Sequence, residues 1–318
     1  MKSVVIGFGG ALPQKCIKND ELPASLNTSD EWISQRTGIK QRYVISEGES
    51  TSTLATKAAK EALDFAKISP NDVDLIVVGT TTGDYTFPAT ACVVQKNLGI
   101  NNECPAFDVS AACSGFVYAL DIADSFIKTG KVKHALVIGA DSFSKILDWN
   151  DRASCVLFGD GAGAIVLKAE ENTDKGIQYC KIYADGNYTD CLVTSGGVAT
   201  TRDAGVVTMK GREVFKFAVE KFYDSFQELM ENNSLTIDDI DLVVPHQANV
   251  RIINKLIDML KIDPRKVVVT IDKHSNTSAA TIPLALNEIK NTMIGTNKNV
   301  VLLSMGAGFT WGAALIRM

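Results

Sequence analysis

The 318-residue sequence has only three histidines, His134, His246 and His274, and none stands at metal-ligand spacing from a cysteine or from another histidine. No metal site is expected. There are seven cysteines but no CxxC pair, and no apolar leader follows Met1. Scattered, odd-numbered cysteines of this kind point to free thiols in a reducing compartment, so the expected location is the cytoplasm. No uncharged apolar run approaches the roughly 20 residues that span a bilayer, which argues against a membrane-embedded chain. Positive charge is in deficit. With 32 Lys and Arg against 37 Asp and Glu the net charge is −5, which argues against general nucleic-acid binding, because duplex affinity rests on many phosphate contacts. This leaves room for local basic patches. Low-complexity and proline-rich linkers are also missing, and 46% hydrophobic with 22% charged residues suits a globular protein with a sizeable core or two packed halves.

What is present centres on Asp108-Val-Ser-Ala-Ala-Cys-Ser-Gly115. A short apolar strand, Pro105 to Val109, runs into a turn of small residues. From there Ser114 to Thr129 is apolar on nearly every face and stops before Gly130, as a buried helix would. A thiol at that helix start faces unpaired N–H groups and the positive end of the dipole, which favour thiolate. Cys113 is therefore a candidate nucleophile, against the competing reading of an ordinary buried cysteine.

Elsewhere, periodicity predicts strands at Ser3 to Gly9, Val73 to Gly79, His134 to Ala140, Ile240 to Val244 and Val267 to Ile271. Helices are predicted at Thr51 to Lys67, Pro88 to Leu98, Arg212 to Glu231 and Asn249 to Leu260. Two glycine-rich runs imitate phosphate loops. Gly7-Phe-Gly-Gly10 is followed by Pro13 with no helical pattern, and Phe158-Gly-Asp-Gly-Ala-Gly163 continues as strand, so the latter reads as a tight hairpin. Ile240-Asp-Leu-Val-Val244 echoes Val73-Asp-Leu-Ile-Val77, offset 167, and Val301-Leu-Leu303 echoes Leu136-Val-Ile138, offset 165. Such offsets suggest duplication. The expected organisation is two halves, 1–172 and 173–318, each alternating strands and helices around a mostly parallel sheet, joined through polar residues near 170–176.

Two further polar stretches lie at strand ends, Val243-Val-Pro-His-Gln-Ala-Asn249 and Asp272-Lys-His-Ser-Asn-Thr-Ser-Ala-Ala280. Neutral imidazole and amide donors from His246 and Asn276, set beside a nucleophilic sulfur, suit acyl transfer followed by stabilisation of a thioester enolate, as decarboxylation of a malonyl thioester requires. Either residue alone could be a loop residue with local hydrogen bonds. His274 is assigned a structural part.

The sequence resembles the β-ketoacyl-acyl-carrier-protein synthase III family collinearly along nearly its whole length. The resemblance rests on Ser29-Asp-Glu-Trp-Ile33 with Arg36-Thr-Gly38, Thr80-Thr-Thr82, Phe87-Pro-Ala-Thr-Ala-Cys92, Asp108 to Phe116 and Phe158 to Gly163. It continues through Met209-Lys-Gly-Arg-Glu-Val-Phe215, Pro245 to Arg251, His274-Ser-Asn-Thr-Ser278 and Gly306-Ala-Gly-Phe-Thr-Trp-Gly312. It implies a thiolase-like α/β fold, duplicated βαβαβαββ halves in a five-layer αβαβα arrangement, and a decarboxylative condensation of acyl-CoA with malonyl-acyl carrier protein that initiates type II fatty-acid synthesis. The acyl group would pass to Cys113, with His246 and Asn276 on the malonyl thioester oxygen and the backbone N–H groups of Cys113 and Gly306 as oxyanion hole. The CoA site would comprise Trp32, Arg152, Thr28 and Arg36, and the pantetheine tunnel Gly211, Phe215, Ala248 and Asn249. Arg251, with Arg212, Lys216 and Gln247, would receive the acidic carrier, and Phe87 and Phe143 would bound the acyl pocket, Phe87 from across a homodimer interface. CoA thioester is then a substrate and no resident cofactor is expected. The bulk of Phe143 suggests a short primer such as acetyl. One departure is Ala307, where many relatives place glycine. Rival readings are a related acyltransferase or polyketide-starter enzyme with a different acceptor, a thiol hydrolase, and a non-catalytic partner subunit.

Overall fold

The computed structural model describes residues 1–318. Its first half runs β1 (Lys2–Ala11), β2 (Lys15–Lys18), α1 (Asp30–Thr37), β3 (Gln41–Val44), α2 (Thr51–Ala66), β4 (Leu75–Gly79), α3 (Thr90–Asn97), β5 (Ala106–Val109), α4 (Gly115–Lys128), β6 (His134–Ser142) and β7 (Asp160–Glu170). The second runs β8 (Gly176–Ala184), β9 (Leu192–Thr194), β10 (Val207–Met209), α5 (Gly211–Asn233), β11 (Leu242–Pro245), α6 (Val250–Leu260), α7 (Ile271–His274), α8 (Thr281–Met293), β12 (Asn299–Gly306) and β13 (Thr310–Arg317). The main sheets have strand orders β1-β7-β6-β4-β5 and β11-β12-β13-β8.

The duplication is visible in register. Leu75 of β4 opposes Ala135 of β6, and Leu242 of β11 opposes Val300 of β12, so offsets of 167 (242 − 75) and 165 (300 − 135) carry one parallel pair onto the other. The sheets are mixed, however, and not mostly parallel. β4 is parallel to β5 and β6, but β7 runs antiparallel to β6 and β1, and β13 antiparallel to β12 and β8. The turn between β12 and β13 is too short for a crossover, so only an antiparallel neighbour can follow.

Apolar faces stack these elements into five layers. Leu54, Ala58 and Ala62 of α2 meet Ile76, Ile138 and Ala164 on the outer face of the first sheet. Phe116 and Leu120 of α4, with Ile282 and Leu286 of α8, fill the space between Val77 and Ile165 of that sheet and Leu302 and Ile316 of the second. On the far side, Phe222 and Phe226 of α5 and Ile253 of α6 cover Val301 and Leu315. The helix after Cys113 is buried because it is a central layer, covered by a sheet on each side.

Two local expectations are corrected. Phe158 to Gly163 forms no hairpin. Gly161 and Gly163 lie inside β7, where a Cβ on Gly163 would sit 2.7 Å from Pro283 and from the Leu284 backbone at the start of α8; the glycines admit a close helix. Val267 to Ile271 is not a strand either. Only Val267 bridges to Val243, Thr270 N–H donates to the Gln247 side chain (2.9 Å), and Ile271 opens the short helix α7. A side-chain amide has taken over the ladder's partners.

Candidate active site

Cys113 lies in the turn Ala112–Ser114 between β5 and α4, with Ala112 at φ 46°, and the cysteine is only 4% exposed. This turn is laced to the β12–β13 turn: Ser114 Oγ donates to the Thr310 carbonyl (3.0 Å), and Thr310 Oγ1 donates to the Ala111 carbonyl (2.9 Å). A Cβ on Gly306 would lie 2.7 Å from the Cys113 nitrogen, so glycine alone lets the two backbones approach this closely. Ala307 is accommodated because the left-handed backbone of this run falls on Gly308, at φ 132°, and not on the alanine. The expected thiolate is not favoured. Burial pushes the Cys113 thiol up to about 12; the nearby Ser278 hydroxyl opposes this and the Asp141 carboxylate adds to it.

His246 follows β11 and is held by its own N–H donating to the Leu303 carbonyl (2.8 Å). Burial lowers the imidazole to about 3, so it is neutral at ordinary pH. Asn276 is built between segments: its N–H donates to the Leu157 carbonyl and its own carbonyl accepts from Gly159 N–H, both 3.0 Å. Its Oδ1 accepts from Ser278 N–H (2.9 Å), which orients the amide and leaves Nδ2 free to donate.

Cys113, His246 and Asn276 line one cavity of about 100 Å³ together with Gly211, Phe215, Ala248 and Asn249. A second cavity, of about 860 Å³, also reaches Cys113 and is lined by Thr81, Ser110, Phe143 and Ala307. Cys113 borders both spaces. Phe143 is stacked on Phe158 at 4.6 Å between ring centroids, which fixes one wall. Phe87 is 84% exposed and lines neither cavity of its own chain.

At the surface, Trp32 sits on α1, whose N-cap Ser29 accepts from Trp32 N–H (3.1 Å). The guanidinium of Arg36 lies 4.5 Å from the centre of the Trp32 ring and that of Arg152 at 5.1 Å, while Arg152 also donates to the Asn27 carbonyl (2.8 Å). The neighbouring Thr28 Oγ1 is buried without a partner. Exposed Arg212 and Lys216 at the start of α5, and Arg251 at the start of α6, flank cavity residues Gly211, Phe215 and Asn249. Gln247 does not belong with these cations. It is 1% exposed, and its amide donates to the Pro245 and Val268 carbonyls (2.7 and 3.1 Å), so it braces the loop and cannot reach a carrier.

Two residues escaped the sequence reading. Asp141, fully buried at the end of β6, accepts from Thr81 N–H (2.9 Å), Thr82 Oγ1 (2.7 Å) and Ala279 N–H (3.2 Å), tying the Thr80-Thr-Thr82 loop to the Asn276 loop. Its place at a strand end, like that of Cys113 and His246, was a usable signal. Thr281, whose Oγ1 is 2.6 Å from His246 Nδ1, gave none, because a threonine opening an apolar helix is unremarkable in sequence.

A layered α/β fold of two related halves, the second with one strand fewer in its sheet, bringing a cysteine, a histidine and an asparagine to one cavity is the arrangement of the thiolase-like condensing enzymes. Models of 3-oxoacyl-[acyl-carrier-protein] synthase III match residues 107–186, and those of its C-terminal region match residues 230–318. A β-ketoacyl-[acyl-carrier-protein] synthase III of Rhizorhabdus wittichii is 53% identical over 317 residues, 99% of each chain, and one of Wolbachia pipientis is 52% identical, again over 99% of each. Among solved structures, 3-oxoacyl-[acyl-carrier-protein] synthase III from Aquifex aeolicus superposes with a TM-score of 0.94 at 46% identity, over 99% of this chain and all of that one. The chain belongs to the β-ketoacyl-acyl-carrier-protein synthase III family, and it is an acyltransferase of the condensing type.

Proposed function

We propose that the chain transfers a short acyl group, acetyl, from CoA to the sulfur of Cys113 and then condenses it with malonyl-acyl carrier protein. The observation that carries this reading is the meeting of Cys113, His246 and Asn276 at one cavity whose lining continues through Gly211, Phe215, Ala248 and Asn249. In the first half-reaction the Cys113 sulfur bonds to the acyl carbon, the CoA carbon–sulfur bond breaks, and the thiol proton ends on the departing CoA. In the second, the malonyl carboxylate leaves as carbon dioxide and its bonding electrons form an enolate, which attacks the acyl-enzyme, releasing 3-oxoacyl-carrier and the Cys113 thiolate, which takes up one proton from solvent to restore the thiol.

His246 Nε2 and Asn276 Nδ2 hold the developing enolate oxygen in this reading, and the N–H groups of Cys113 and Gly306 hold the oxyanion of each tetrahedral intermediate. Trp32 and Arg152 clamp the adenine, with Thr28 and Arg36 beside it, a stacking role suited to an indole and a guanidinium. Arg251, Arg212 and Lys216 attract the acidic carrier. Phe143 limits primer length, Phe87 reaches the acyl pocket of a second copy in a homodimer, and residues 1–172 and 173–318 form the two halves supplying nucleophile and donors.

Intact-protein mass spectrometry tests the core of this. Acetyl-CoA should leave one acetyl group that is missing in Cys113→Ala and that disappears as acetoacetyl-carrier forms on adding malonyl-carrier. An adduct that clears in water alone would instead favour a hydrolase. The CoA assignment makes a separate prediction: Trp32→Ala should raise KM for acetyl-CoA about tenfold while leaving acylation by a short pantetheine thioester unchanged. Equal losses with both donors would remove Trp32 from the nucleotide site.

A further inference from the structure

A neutral imidazole carries one N–H, and which nitrogen bears it decides whether a cavity meets a donor or a lone pair. His246 Nδ1 is 2.6 Å from Thr281 Oγ1, and that oxygen is also 3.1 Å from the Ser278 carbonyl. The threonine hydroxyl has a single hydrogen for these two acceptors. O–H···O contacts run about 2.5–3.0 Å and N–H···O contacts about 2.7–3.2 Å. The 2.6 Å contact is shorter than a ring N–H donating to oxygen, which leaves the threonine hydroxyl as its donor. The 3.1 Å contact is long for a hydroxyl donor. Thr281 is 2% exposed as the first residue of α8, so its rotor is held by packing.

We propose that Thr281 is a positioning residue that donates to Nδ1 of His246, keeps the ring hydrogen on Nε2, and so commits His246 to donating into the cavity. The inference rests on the enolate role given to His246 above and deepens it. A ring whose Nε2 already carries hydrogen, and whose Nδ1 lone pair is occupied, cannot also take the proton of Cys113. His246 then serves the condensation half-reaction and not primer transfer.

The primary test is 15N NMR of protein labelled at histidine, where only three residues contribute and His246→Ala identifies the relevant signals. A protonated Nε2 with a hydrogen-bonded, unprotonated Nδ1 is expected; hydrogen on Nδ1 would overturn the proposal. Kinetics supply the second arm. Thr281→Val, nearly isosteric, should slow malonyl-carrier decarboxylation by about tenfold to a hundredfold, with acetyl transfer to Cys113 within about twofold of wild type. Thr281→Ser should restore decarboxylation. Equal loss of both steps in Thr281→Val, or no loss of either, refutes the assignment. Unimpaired decarboxylation in His246→Ala would instead refute the underlying role of His246, a result the NMR experiment does not depend on.

Discussion

Replacing Asn276 by alanine will slow decarboxylation of malonyl-carrier by about a hundredfold to a thousandfold, the usual cost of removing one donor aimed at a developing oxyanion. His246→Ala will do the same. Transfer of acetyl from CoA to Cys113 should fall far less in both variants. The asymmetry follows from protonation and orientation. The Asn276 amide is turned by Ser278 N–H so that Nδ2 faces away from its backbone partner. His246, driven to about 3 by burial, carries no charge to share with a thiolate. Both are therefore neutral donors, suited to an enolate that needs two hydrogen bonds and no strong acid. The check is single-turnover measurement of each half-reaction: carbon dioxide release from malonyl-carrier, and acetyl-enzyme formation by mass. If both variants lose acylation as severely as decarboxylation, these residues act on Cys113 itself and the division of labour is wrong.

Much of the fold was legible because it depends on periodicity. The apolar runs at Val73 to Gly79 and His134 to Ala140 supply β4 and β6, buried on both faces, and the all-round apolar character of 114–129 predicted a buried helix. The failures came where tertiary partners replaced local pattern. Val267 to Ile271 has strand composition, yet a glutamine side chain supplies the partners that a ladder would. Gly161 and Gly163 looked like turn residues, although their use is to admit the start of α8 against β7. The reactive residues were legible as polar breaks at strand ends. Their support was not: Asp141 binds two segments far apart in sequence, and the pairing of His246 with Thr281 spans 35 residues. No single-sequence pattern encodes such distances.

Alkylation of Cys113 by iodoacetamide in the free enzyme should rise about tenfold for each pH unit between 7 and 10, roughly a thousandfold in all, with no plateau in that range. The sign follows from the acid form. A thiol titrating near 12 is protonated throughout this window, so each unit of pH multiplies the reactive thiolate by ten. Sequence reasoning pointed the other way, since the start of α4 should favour the anion. Magnitudes decide between them. A helix end contributes about 0.3–1 kcal/mol, rising to about 2 in favourable geometry. The displacement of the thiol to about 12 corresponds to about 4 kcal/mol against the anion. Burial at 4% exposure, with the Asp141 carboxylate close by, outweighs the dipole. Peptide mapping is needed to separate Cys113 from the six other cysteines, and circular dichroism at each pH confirms that the fold persists. A plateau by pH 8 would show a resting thiolate and a dominant helix. A continued rise means the nucleophile is kept as an unreactive thiol until the thioester arrives, with its proton leaving on CoA during transfer and not before it.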